Sequence, residues 1–194
     1  TIPTGGTLDA QDDTITVAED FTISGGLLGA SCFHGDDNHF IQSDAAVPIG
    51  SNTATYETWF RATSDSGYVL MHQDGSKGFY ARFDGSNLNF HFFSTSSSVF
   101  SDVSGLRDSK WHHMAIVIND TDYKLYIDGK LNQHKTGLAS FGNPNTTFKA
   151  GGTVNYLEGQ LDEIRIFDDV RTESEIRANM FTESPSGDNL LVHY

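Results

Sequence analysis

The sequence predicts an all-β protein: two antiparallel sheets stacked as a sandwich, with one short helix near the C-terminus. Three observations carry that expectation. Short runs rich in aromatic and β-branched residues recur between clusters of Gly, Asp, Asn and Ser. The turn sequences Asp84-Gly85-Ser86-Asn87 and Asp128-Gly129 separate such runs at hairpin spacing. A helix start is credible in one place, where Thr172 and Glu175 form a capping box and Ile176 and Met180 lie one turn apart.

The expected strands are 28–34, 38–42, 54–62, 67–73, 78–84, 87–93, 111–119, 123–128, 130–135, 147–151 and 157–167, with Asn189 to Tyr194 as a closing strand. Residues 1–25, rich in Thr, Gly and Asp, read as an arm or an edge strand. Residues 94–98 read as a Ser/Thr-rich loop, and Asn143-Pro144-Asn145 as another. No repeat interrupts the pattern, so 1–194 is expected to be a single domain.

With 194 residues, 14 Phe, seven Tyr and two Trp, the chain has material for a core without covalent staples. Its one cysteine, Cys32, permits no internal disulfide. The formal net charge of −14 repels phosphate backbones, anionic membranes and polyanionic glycans, so neither nucleic acid nor a membrane is an expected partner. No apolar run approaches the ~20 residues that span a bilayer. The start at Thr1 suggests a module of a larger multidomain protein.

Alternation along the expected strands sorts side chains onto two faces. Phe79, Ala81 and Phe83, and Leu88, Phe90 and Phe92, fall on an apolar face. On 67–73, Val69 and Met71 share that face, with Leu70 out of pattern. The other face gathers Tyr68, His72, Tyr80, Arg82, Asn89, His91 and Phe93. Flat rings beside planar donors and acceptors suit a sugar, so Tyr68, His72, Tyr80, Arg82, Asn89 and His91 are the candidate ligand-binding residues. The same pattern suits a solvated outer face with cross-strand pairs, and that alternative stays open.

Four ordered stretches resemble the laminin-G-like, concanavalin A-like jelly-roll family. They are Phe33-His34-Gly35-Asp36-Asp37-Asn38-His39-Phe40-Ile41, then Ala54-Thr55-Tyr56-Glu57-Thr58-Trp59-Phe60. Trp111-His112-His113 through Asp128-Gly129 follows, and Gly159 to Arg165 closes the series. His34 departs from the family pattern, which often has Asp or Asn there. The resemblance implies a jelly roll, and more often recognition of glycans or surfaces than catalysis. It also implies that the first acidic turn lies beside the last long strand. A Ca2+ ion would then be held by Gly35, Asp36 or Asp37, and Asp162, because hard cations need several oxygen ligands in one place. An ordinary Asp-rich turn, with Asp162 paired to Arg165, is the competing reading.

Other chemistry finds little support in the spacing. His112 and His113 are adjacent and would point to opposite faces, one packed with its ring N–H satisfied, the other exposed. Jelly-roll glycosidases alternate catalytic carboxylates on one strand; Asp162 and Glu163 are adjacent instead. The expected function is therefore a non-catalytic carbohydrate- or surface-recognition module of a secreted or cell-surface protein, bacterial in origin and calcium-assisted. Its expected partner is a glycan or glycosylated surface. The alternatives are a divergent polysaccharide lyase or hydrolase using Tyr80, Arg82 and His91, and a ligand-free spacer of a large adhesin.

Overall fold

A computed structural model describes residues 31–33, 40–63, 65–95, 97–152, 155–182 and 189–194. The expected arm and the acidic turn at Gly35, Asp36 and Asp37 lie outside the described residues. In chain order the strands are β1 (Ser31–Phe33), β2 (Ile41–Gln42), β3 (Val47–Pro48), β4 (Thr53–Ala62), β5 (Ser66–Asp74), β6 (Lys77–Asp84), β7 (Asn87–Phe92) and β8 (Ser97–Val103). There follow β9 (His112–Asn119), β10 (Asp122–Ile127), β11 (Lys130–Lys135), β12 (Asn145–Thr146), β13 (Lys149–Ala150), β14 (Gly159–Phe167), the helix α1 (Glu173–Asn179) and β15 (Leu190–His193).

Two antiparallel sheets stack. One runs β1-β14-β4-β9-β10-β11, with β15 also paired to β14; the other runs β2-β13-β5-β6-β7-β8. A two-stranded ladder joins β12 to β3. Gln133 of β11 donates to the Ser101 carbonyl of β8 at 2.9 Å, tying the two sheets together at one edge. The core is aromatic: Phe79 stacks on Phe92 at 5.4 Å between centroids, Phe92 meets Tyr123 at 4.7 Å, and Tyr56 meets Phe79 edge-on at 4.7 Å. Such pairs each add about 0.5–1.5 kcal/mol beyond area burial.

Three expectations need correction. The Ser/Thr-rich loop at 94–98 gives way to a strand, β8, from Ser97 onward, because Val99, Phe100 and Val103 reach the core behind a polar start. The expected strand 147–151 shortens to β13, and a separate short strand, β12, forms just before it at Asn145–Thr146. In β5 the register shifts between Tyr68 and Leu70. That bulge puts both Val69 and Leu70 in the core, turns Met71 outward and carries His72 inward.

His72 is therefore a core residue and not part of the outer face. It is 0 % exposed. Its Nδ1 faces the Tyr56 hydroxyl at 2.7 Å and its Nε2 faces the Thr146 carbonyl at 3.2 Å. Burial pushes its pKa down to about 4. Gly78 makes this packing possible: at φ 84° its absent Cβ would stand 1.9 Å from the His72 carbonyl oxygen.

α1 begins as its sequence dictates. The Glu175 N–H donates to Thr172 Oγ1 at 3.3 Å, and the Thr172 N–H donates to Glu175 Oε2 at 2.8 Å. Its buried Ile176 packs on Ala115, Val117 and Tyr126, on the outer face of the seven-stranded sheet. The outer face of the six-stranded sheet has no helix over it among the described residues.

Candidate functional site

The uncovered face is organised by strand register. Gln42 opposes Lys149, Lys149 opposes Met71, Met71 opposes Tyr80, Tyr80 opposes His91, and His91 opposes Ser98. This single row crosses all six strands, about 24 Å at the usual strand spacing. A second row, two residues along, holds Tyr68, Arg82 and Asn89. Five of the six residues expected to bind ligand, Tyr68, Tyr80, Arg82, Asn89 and His91, share this half-buried face. The bulge removes the sixth, His72.

The rings partner one another. Tyr80 and His91 stack with planes 16° apart at 5.1 Å, and Tyr68 meets Tyr80 edge-on at 5.1 Å. Phe93 meets Tyr80 at 5.7 Å and His91 at 5.1 Å, both edge-on. The Arg82 guanidinium carbon lies 5.7 Å from the Tyr68 ring centroid, and its Nη2 is 3.4 Å from Asp84 Oδ2. Asn89 accepts the Asp102 N–H at 3.2 Å. Desolvation raises the Tyr80 pKa and lowers that of His91, so the imidazole favours its neutral form. The face offers phenol hydroxyls, one imidazole, two amides (Gln42 and Asn89) and two cations, with aromatic bodies between them. Chemically it can hydrogen-bond hydroxyls and shield C–H surfaces.

Alternation along 67–73 was insufficient to place Met71 on the face, because a bulge leaves no mark in hydrophobic pattern. Lys149 and Ser98 were legible in principle. In the 147–151 run, Phe148 and Ala150 are apolar and flank Lys149, as an outward position requires.

Asp162, the described member of the expected calcium set, is half-buried on β14. Its Oδ1 accepts the Glu163 N–H at 2.9 Å and its carbonyl accepts the Thr58 hydroxyl at 3.0 Å. Burial raises its pKa. Arg165 pairs with Glu163, not with Asp162 as the competing reading had it. No group of three or more His, Cys, Asp or Glu able to hold a metal occurs among the described residues. β1 pairs Ser31 with Leu161 and Phe33 with Gly159. The chain thus leaves β1 at the Gly159 end, about 10 Å along β14 from Asp162. The described residues alone do not fit a cation.

A second polar cluster lies under α1. Arg165 and His113, each 1 % exposed, flank the 2 % exposed Glu57, whose Oε2 is 3.8 Å from Arg165 Nη1 and 3.9 Å from His113 Nε2. Glu57 Oε2 and His113 Nδ1 have no hydrogen-bond partner among the described residues. Arg165 bonds Glu163, donates to the Asn179 carbonyl at 2.8 Å and reaches the Thr182 carbonyl. Trp59 Nε1 donates to the Met180 carbonyl at 2.6 Å. These donors satisfy carbonyls that the end of a helix leaves open. Glu163 itself sits at φ 51° in a bulge of β14 and also meets His193 at 2.8 Å. The expectation for the adjacent histidines reverses in part. Buried His113 is the one lacking a partner at Nδ1, whereas His112 faces Asp128 at 3.0 Å and Asp108 at 3.1 Å.

The chain belongs to the concanavalin A-like lectin/glucanases superfamily, whose laminin-G-type model matches residues 34–177. Among solved structures it is similar to a Bacteroides ovatus protein described as carbohydrate binding. They share 18% identity at a TM-score of 0.65, over 85% of this chain and 50% of that one. It is also similar to the heptameric SAP-like pentraxin of Limulus polyphemus, at 14% identity and TM-score 0.66, over 85% and 91% of the two chains. Domains LG4-5 of the mouse laminin alpha1 chain match at 15% identity and TM-score 0.58, over 86% and 48%. The chain thus spans about half the length of the first and third. These likenesses show the fold. No helix among the described residues is long and apolar enough to cross a membrane.

Proposed function

We propose that this protein is a non-catalytic glycan-recognition module whose ligand lies on the outer face of the six-stranded sheet. The observation that carries the reading is the row Gln42-Lys149-Met71-Tyr80-His91-Ser98, which crosses every strand and presents polar tips on all of them but β5, where Met71 is apolar. Family membership and the Bacteroides protein described as carbohydrate binding support it. A face of this kind buries little area, so single sites bind weakly and gain by repetition. That suits a secreted or surface-anchored bacterial protein with further domains.

The test is a broad glycan array probed with the wild-type protein, Tyr80→Ala and Arg82→Ala. Tyr80→Ala and Arg82→Ala are expected to fold and to lose signal. Equal binding by all three proteins would remove the site from this face, and new reducing ends in the bound glycans would overturn the non-catalytic reading.

Calcium belongs to this reading as a tether between the acidic turn at Gly35, Asp36 and Asp37 and the last long strand at Asp162. Bound only by the folded state, it would raise the melting temperature. Chelation is expected to lower it by several degrees; an unchanged melting curve would remove the metal.

A further inference from the structure

Resting on the glycan reading above, we infer that the ligand is an extended glycan chain carrying widely spaced carboxylates, lying across the strands with Lys149 and Arg82 as its charge contacts. The row runs through paired residues on all six strands, with register shifts beside it in β5 and between β7 and β8, so it fits several consecutive sugar units rather than one terminal residue. Its local charge opposes that of the molecule. The whole chain has a formal charge of −14. Yet the two face rows hold two cations, Lys149 and Arg82, and no carboxylate.

Distance decides which of these charges a bound chain feels. At physiological salt, fields decay over about 8 Å. Stacked sheets lie about 10 Å apart, so carboxylates on the far face are largely screened. The near carboxylates sit at strand ends and turns. Asp84 pairs with Arg82 at 3.4 Å, Asp74 accepts the Asn145 N–H at 3.2 Å, and Asp102 accepts the Asn87 amide at 3.2 Å. Lys149 lies at the other end of the row. Its ammonium is 6.0 Å from the Phe40 ring centroid and makes no ion pair among the described residues.

The two cations also set a spacing. β5 separates their strands, and Arg82 lies two residues beyond the Tyr80 row, so their backbones stand about 12 Å apart. A carboxylate on every sugar would place surplus negative charge over Asp84 and Asp102. Charge on some units only, with neutral sugars over Tyr80 and His91, matches the face.

The test is titration calorimetry with oligosaccharides from disaccharides upward, each used in matched acidic and carboxyl-reduced forms. Affinity is expected to rise with length and to fall on carboxyl reduction. Lys149→Gln, at a half-buried position, is expected to weaken the acidic chains about fivefold and the reduced ones much less. Equal binding of acidic and reduced chains, still lost in Tyr80→Ala, would overturn the charge assignment and keep the glycan reading. Disaccharides as tight as long chains would overturn the extended mode. If no chain of either form bound, both inferences would fall together with the glycan site.

Discussion

Tyr80 and His91 face one another across β6 and β7 with their rings stacked 16° from parallel. Both rings are half-buried on the outer face of the six-stranded sheet. In the glycan site proposed above, the pair would form an edge already ordered before a ligand arrives. A double-mutant cycle with Tyr80→Ala and His91→Ala, read by urea unfolding, is expected to give a coupling of about 0.5–1.5 kcal/mol. Additive losses would mean that the rings do not partner in solution.

His72 and Tyr56 join the two sheets by a hydrogen bond inside the core. Tyr56→Phe is expected to cost about 1 kcal/mol and His72→Ala more, because the latter leaves a cavity and an unpartnered hydroxyl. Binding to glycans per folded molecule is expected to stay the same in both. A His72→Ala variant with full stability and lost binding would restore His72 to the ligand face.

The contrast between these two histidines shows what the sequence could and could not disclose. His91 and Phe90 lie on a strand of unbroken alternation, and their faces follow from parity alone. His72 lies beyond a one-residue register shift, and a shift of one exchanges inside for outside. The capping box at Thr172 was legible because it is local. The anchoring of α1 by Trp59 and Arg165 was not, since those residues come from strands far away in sequence.

Arg165 ties that helix to the sheet. Arg165→Met keeps the aliphatic stem but strands buried Glu57 beside Glu163 and opens the carbonyls of Asn179 and Thr182. The expected loss is about 3–5 kcal/mol, as for removal of one partner from a buried ion pair. Trp59→Phe, which removes one donor, is expected to cost about 1 kcal/mol. Hydrogen exchange is expected to quicken across 173–179 in both variants. Undisturbed protection of α1 in Arg165→Met would refute the anchoring.

Glu57 and His113 make stability respond to pH in opposite senses. Burial raises the Glu57 carboxyl to about 7 in the folded protein, against an unfolded value of about 4.3. The folded state therefore binds more protons between those values. Its contribution is complete below about pH 4.3 and is lost as pH rises through about 7. His113, lowered to about 4 chiefly by burial and then by Arg165, contributes fully above about pH 6.5 and loses that contribution as pH falls through about 4. Glu57→Gln removes only the first effect. Relative to wild type, this variant is expected to gain stability on going from about pH 5 to about pH 8, by at most about 3 kcal/mol. Urea unfolding of both proteins across that range measures the difference directly. A difference that stays level with pH would mean that Glu57 titrates in the folded protein as it does in the unfolded chain.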